Sequence, residues 1–179
     1  MKFAKNTISA GAVILAFACV PLSAQAQFDT RSDAPTKITA DLADYQADRT
    51  ILTGAVDVRQ GDVRIIADKM TVFTSGSAGL TAGGFDKIIA EGNFYYLTSD
   101  QEVRGESGVY TKEDETFVVS GDVILKQADG NVVTGDKLFY NLKTESARVV
   151  GTCSGRKCGS TGRVNILIKN TNSVAGGNT

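Results

Sequence analysis

Beyond residue 36 the chain alternates apolar and polar side chains at period two, in short runs broken by turn signals. Ala55-Val56-Asp57-Val58-Arg59 and Lys137-Leu138-Phe139-Tyr140-Asn141 are such runs. Gln60-Gly61-Asp62, Ala128-Asp129-Gly130-Asn131 and Asp48-Arg49 interrupt them. Alternation bounded by turn residues predicts half-buried strands, and Asp129-Gly130 is a strong hairpin signal. No window of eleven or more residues after Ala26 carries a helical apolar stripe between caps.

The strands recur as an internal repeat. An aliphatic residue, a spacer, a small residue and an acid appear as Ile38-Thr39-Ala40-Asp41, Ile65-Ile66-Ala67-Asp68, Val103-Arg104-Gly105-Glu106 and Val133-Thr134-Gly135-Asp136. The acids recur at similar intervals, and the longest, from Asp68 to Glu106, holds the Gly/Ser-rich insert 74–84, which reads as a surface loop. Between the acids stands a second marker, a glycine at 54, 92, 121 and 151. A period of roughly 30 residues predicts stacked supersecondary units with one continuous core. Four such repeats of about four short strands each predict roughly 12–16 antiparallel strands. The expected architecture is all-β: a twisted, open jelly roll or solenoid-like sandwich and not a closed barrel. The small-acid dipeptides fall where strands should bend over a corner.

Following the glycine-bearing face at period two collects Leu52, Val56, Val58, Ile88, Phe94, Tyr96, Phe117, Val119, Val123, Leu125 and Val149. The other strand of each repeat adds Ile38, Ile65, Val103 and Val133, then Met70, Val72, Leu138 and Tyr140. These positions face one interior, and a dry core and a lipid groove use the same residue types.

The segment Met1–Ala26 stands apart from this pattern. Lys2 and Lys5 precede an uncharged, largely apolar stretch from Ile8 to Leu22, and Ala24-Gln25-Ala26 supplies an A-x-A cleavage pattern. This is a signal peptide with cleavage expected after Ala26; spanning a membrane needs ~20 apolar residues. Phe17 before Cys19 fits a lipidation signal badly. Residues 27–35 read as a flexible N-terminal segment, 36–168 as the β domain and 169–179 as a disordered polar tail.

Composition then narrows the chemistry. The 179 residues include 19 basic and 20 acidic side chains and no histidine. Cleavage after Ala26 removes two of the lysines, so the mature chain carries 17 basic and 20 acidic groups, a charge of −3. Without histidine there is no Ser-His-Asp or Cys-His pair and no imidazole metal ligand. The net negative charge argues against nucleic acid. The acids Asp41, Asp68, Glu106 and Asp136 sit at equivalent corners of successive repeats, not across a sugar as paired glycosidase carboxyls do. No enzyme, metal or cofactor is expected. Cys153 and Cys158 are the cysteines left after cleavage. In an exported protein they read as a local structural disulfide, since a zinc site lacks its other ligands and a redox pair more often has C-x-x-C spacing. Cys153, two residues after Gly151, is expected to start in a strand.

Both ends of the domain present weakly protected edges. The expected strand Thr36–Ala40, with Ile38, carries Lys37 as its only charge, and Val164–Ile168, with Ile166, carries none. Such edges invite strand addition, so Ile38, Val164, Ile166 and Ile168 are candidate assembly positions.

Gly121-Asp122-Val123-Ile124-Leu125-Lys126-Gln127 followed by Val133–Tyr140 resembles the signature of the OstA-like family. So do Ile88–Phe94, and Gly54–Gln60 with Ala67-Asp68. The resemblance covers about residues 36–168 and departs at the insert 74–84, at Phe94-Tyr95-Tyr96 and at the Cys153–Cys158 loop. It implies an OstA-like open β-jelly roll in the periplasm that binds lipopolysaccharide, with the lipid A acyl chains in the interior. It further implies a bridge from inner to outer membrane for outer-membrane assembly, built by head-to-tail association with itself. The implied partners are an inner-membrane LptC-type and an outer-membrane LptD-type jelly roll. Two alternatives stand beside this reading: a membrane-anchored LptC-type component of the same pathway, which would keep its N-terminal segment, and a ligand-free structural β-solenoid module.

Overall fold

The computed structural model describes residues 34–74, 85–144, 146–153, 155, 158 and 162–169. Residues 1–33, 75–84 and 170–179, on which the expected signal peptide, N-terminal segment, insert loop and tail largely fall, lie outside the described residues. Among the described residues ten strands form one antiparallel sheet. Six are long: β3 (Arg49–Gln60), β4 (Val63–Phe73), β5 (Lys87–Leu97), β6 (Gln101–Thr111), β7 (Thr116–Gln127) and β8 (Val132–Asn141). They pair in chain order as a meander. Two short strands, β1 (Lys37–Thr39) and β2 (Leu42–Tyr45), both pair with β3 at one edge. Another two, β9 (Ser146–Val150) and β10 (Asn165–Leu167), both pair with β8 at the other.

Each long strand crosses a corner near its middle. On β3, β5 and β7 the marker glycine and its successor both take positive φ: Gly54 and Ala55 at 81° and 43°, Gly92 and Asn93 at 76° and 45°, Gly121 and Asp122 at 83° and 43°. Each pair opposes a single acid on the following strand, so the ladder register slips by one residue there. This is a β-bulge, which bends the strand and increases its twist. Repeated along one line, the bulges fold the sheet into two facing layers. A front sheet holds β2, β9 and the arms of the long strands near residues 52, 70, 90, 109, 118 and 139. A back sheet holds β1, β10 and the opposite arms. Six bent strands of two arms each and four single arms make sixteen arms. The expected 12–16 short strands are these arms, and the bulges join most of them into continuous strands, so the sheet has ten.

The corner explains both markers of the repeat. The carboxylates of Asp41, Asp68 and Glu106 lie against Gly54, Gly92 and Gly121, where any Cβ would collide with them. The main-chain N–H of Asp41 donates to the Thr53 and Gly54 carbonyls at 3.1 and 3.0 Å, and the Asn93 side-chain amide donates to Asp68 at 2.8 Å. The small residue before the acid has its own reason. Val119 packs on Gly105 and Val149 on Gly135, at distances that exclude a side chain.

At the fourth repeat the pattern changes. Gly151 lies under the carbonyl of Gly162, and the Cys153 N–H donates to that carbonyl at 2.9 Å. The chain therefore leaves the ladder after Val150, and Cys153 is not in a strand as its offset from Gly151 predicts. Cys153 and Cys158 form a disulfide with Cα atoms 6.0 Å apart. It lies between β9 and β10, in the place where β3, β5 and β7 turn the corner with a two-residue bulge. The turn at Asp129-Gly130 forms as its sequence predicts, with Gly130 at φ 91° and its N–H donating to the Gln127 carbonyl at 2.9 Å.

Candidate functional site

The space between front and back sheets is lined by the period-two rows. On β3, β5 and β7 the inward positions keep even spacing through the corner, as Leu52 and Val56, Ala90 and Phe94, Val119 and Val123 show. On the strands between them the parity switches, from Met70 to Ala67 and from Leu138 to Gly135, because the bulge belongs to the partner. Strict alternation therefore holds through the corner on β3, β5 and β7 and breaks on β4, β6 and β8.

The lining has two depths. Beside the corner Leu52, Val56, Met70, Phe94, Val119, Val123 and Leu138 are buried, together with Ala67 and Ala90. Val72, Tyr96, Val103 and Phe117 are buried as well. Phe94 and Tyr96 of the back sheet reach Phe117 of the front sheet, with ring centroids 5.6 and 5.9 Å apart. Phe94 also lies over Gly108, where a Cβ would stand 2.6 Å from its Cε2. Val58, Ile65, Ile88, Leu125 and Tyr140 towards the free tips of the arms, and Val149 beside the corner on the edge strand β9, are half-buried and pack on this core. Val133 is half-buried too. Ala67, Ala90, Gly108, Tyr110, Phe85 and the buried Thr50 also line or pack on the interior, beyond the positions that alternation predicts. Small residues and threonine carry little hydrophobic signal, and Tyr110 is found only by counting four from Glu106.

The acids of the corner line run along the outside of the bend and do not converge on one another. Among the described residues no group of three or more Cys, Asp or Glu could hold a metal ion. The best-defined electrostatic cluster is elsewhere, on the outer face of the back sheet. There Asp57 accepts from Arg64 at 2.8 and 3.0 Å and from Arg59 at 2.9 Å. The Arg64 guanidinium, then that of Arg59, holds the Asp57 carboxyl well below the usual carboxylate range. A depressed folded-state pKa stabilises the fold above the unfolded-state pKa of ~3.9, and that contribution is lost as pH falls further. Urea midpoints should therefore favour wild type over Asp57→Asn at pH 7, with the gap closing steadily below about pH 4. A gap independent of pH would refute the role of this carboxylate.

At the two sheet edges, apolar side chains stand in solvent. Leu42 and Tyr45 on β2 are 61% and 68% exposed, and Ile166, Leu167 and Ile168 at β10 are 65%, 66% and 67% exposed. Ile38 on β1 is half-buried against the core, and Val164 is half-buried just before β10. β10 spans Asn165–Leu167, shorter than the expected Val164–Ile168, and β1 spans Lys37–Thr39.

Comparison with known proteins converges on one family. The family model described as LptA/(LptD N-terminal domain) LPS transport protein matches residues 37–146. The lipopolysaccharide export system protein LptA of Escherichia coli K12 is 31% identical over 158 residues, covering 81% of this chain and 80% of its own length. An uncharacterised protein of Rhizobium meliloti is 29% identical over 130 residues, covering 70% and 69%. Among solved structures, LptH of Pseudomonas aeruginosa, the LptA-homologous periplasmic component of the lipopolysaccharide transport device, superposes with a TM-score of 0.62. It is 18% identical and covers 79% of this chain and 99% of that one, a likeness of fold. An open antiparallel sheet folded over a line of bulges, with a matching family model across its repeats, leads to one assignment: the chain belongs to the LptA/LptD N-terminal domain family of periplasmic, non-catalytic lipopolysaccharide transport proteins.

Proposed function

We propose that this protein is a lipopolysaccharide-binding bridge that carries the glycolipid from inner to outer membrane, holding the lipid A acyl chains between its two sheets. The observation that carries this reading is the half-buried apolar tier. Val58, Ile65, Ile88, Leu125 and Tyr140 are half-buried on the arms beyond the corner, in the same rows as the buried Val72, Tyr96, Val103 and Phe117, and offer apolar surface on which a chain could lie along the interior. Each methylene kept from water is worth ~0.8 kcal/mol, and several acyl chains together set a prohibitive cost for free passage through water. A protein that shelters them removes that barrier without chemistry.

The bridge is completed by units joined through their sheet edges, this chain with itself and with an LptC-type jelly roll at the inner membrane and an LptD-type one at the outer. The end strands, each with one ladder partner among the described residues and with exposed apolar side chains on β2 and β10, support this assembly. The close packing of Phe94, Tyr96 and Phe117 favours a second reading, a ligand-free structural module. Photo-crosslinking separates the two. Crosslinkers at Ile65, Ile88 and Leu125 should capture lipopolysaccharide in cells, and one at the exposed Lys112 should not. Equal capture at all four positions would rule out an interior path, and capture at none would favour the ligand-free module.

A further inference from the structure

The ladder registers run as straight rows from one edge of the front sheet to the other. The row that begins at Asp44 on β2 passes Ile51, Ile89, Val118 and Phe139 and ends at Arg148 on β9. Its neighbours begin at Leu42, Ala43 and Tyr45 and end at Val150, Val149 and Ala147, respectively. β2 and β9 are therefore the two ends of the same four rows. They also run in opposite directions: β2 from corner to tip, β9 from tip to corner.

We propose that β9 of one copy receives β2 of the next in the register that continues these rows, with an Arg148–Asp44 pair selecting both partner and alignment. This rests on the stacking in the preceding section and adds what that reading leaves open, the alignment and the residues that set it. Continuation as an antiparallel ladder sets Arg148 opposite Asp44, Val150 opposite Leu42, Val149 opposite Ala43 and Ala147 opposite Tyr45. Every pair is compatible: one opposite-charge pair, one aliphatic pair on the outer face, and two pairs of a larger with a small side chain on the inner face. Directly opposed charges and apolar residues stabilise a ladder, whereas like charges destabilise it. Both charged groups are available for such a pair. Arg148 is exposed, stacks on Phe139 and makes no ion pair among the described residues. The exposed Asp44 accepts one hydrogen bond, from the Gln46 amide at 3.1 Å.

The same continuation holds on the back sheet. There the row from Ile38 on β1 ends at Ile166 on β10, and the row from Thr39 ends at Asn165. β1 and β10 are each three residues long. One rigid docking thus satisfies both arms at once. Pairing two β9 strands about a twofold through their middle residue would instead oppose Arg148 to Arg148. The edge charges admit the head-to-tail contact, which need not close, and disfavour this symmetric one.

The test uses the full mature chain in sedimentation velocity. Asp44→Arg and Arg148→Asp should each weaken self-association about two- to tenfold. An equimolar mixture of the two variants, or the double exchange in one chain, should regain wild-type association. Mixed Ala43→Cys and Val149→Cys chains should form an intermolecular disulfide on mild oxidation, and Ala43→Cys with Ala147→Cys, displaced by two residues, should not. Single variants that associate like wild type, or efficient trapping by the displaced pair, would overturn the register while leaving stacking in place. A wild-type chain that stays monomeric at all concentrations would overturn the self-stacking reading and the register together.

Discussion

Replacing Phe94 with alanine is expected to destabilise the fold by about 3–5 kcal/mol. The ring is 1% exposed and touches two other strands at once, β6 and β7. It stacks against Phe117 across the two sheets at 5.6 Å and lies over Gly108 of the neighbouring strand. It also stands two residues beyond Gly92, whose positive φ makes the bend that brings the sheets together. Truncation leaves a cavity that the surroundings cannot fill, because Gly108 offers no side chain and the bulge holds the backbone in place. The cost is then transfer plus cavity, at the upper end for an aromatic residue. Ile124→Ala is the control: Ile124 is on the outer face, 36% exposed, and its loss should cost far less. Urea unfolding of both variants decides the matter. A Phe94→Ala loss under about 1 kcal/mol would mean that the two sheets are not held together at the corner as described.

The interior face is legible in the chain because alternation and the glycine marker keep step on β3, β5 and β7. Leu52 and Val56, Phe94 and Tyr96, Phe117 and Val119, Val123 and Leu125 all point inward for that reason. The acid marker serves equally well for Met70, Val72, Leu138 and Tyr140, since counting from the corner absorbs the change of parity. Depth is not legible. Val123 is buried and Leu125 half-buried on one strand, with similar side chains and the same orientation. Distance from the bend does not set it, since Val103 and Tyr96 share the row of Leu125 and are buried; what the opposite sheet places over each position decides, and alternation does not encode that. The length of strands is hidden for a related reason: a bulge interrupts the hydrophobic pattern but not the hydrogen-bonded ladder, so arms read singly are halves of one strand. At Cys153 the offset from Gly151 points to a strand, but the Gly162 carbonyl occupies the place of the corner acid. That contact joins Gly151 to a residue well beyond it in the chain, and no periodicity encodes it. The exposure of Leu42 and Tyr45 is equally hidden, because alternation marks which face a residue takes and not whether its strand lies at an edge.

Charging the end strand should abolish transport while leaving lipid binding intact. In the double variant Ile166→Asp, Ile168→Asp, two carboxylates replace exposed aliphatic side chains on β10 and just beyond it, where β10 has one ladder partner among the described residues. Ile166 belongs to the inner row that runs through Val133, Leu125, Val103 and Tyr96. A charge there lies on the side facing the interior, so pairing with another copy would bury it against Ile38 of the next unit. An unpaired buried carboxylate costs several kcal/mol, more than a three-residue ladder can return. Inward-pointing charges are the means by which natural sheets keep their edges apart. The monomer itself should lose little, because both side chains are already in water. Purified variant chains are therefore expected to be monomeric by light scattering and still to crosslink lipopolysaccharide through Ile88. Cells relying on them should deliver no lipopolysaccharide to the surface. Deleting residues from Val164 onward should act in the same direction, through loss of the strand. Oligomers of parental size from the charged variant would show that the back-sheet edge takes no part in assembly. A monomer that no longer binds lipid would show that the interior depends on neighbouring units to be complete.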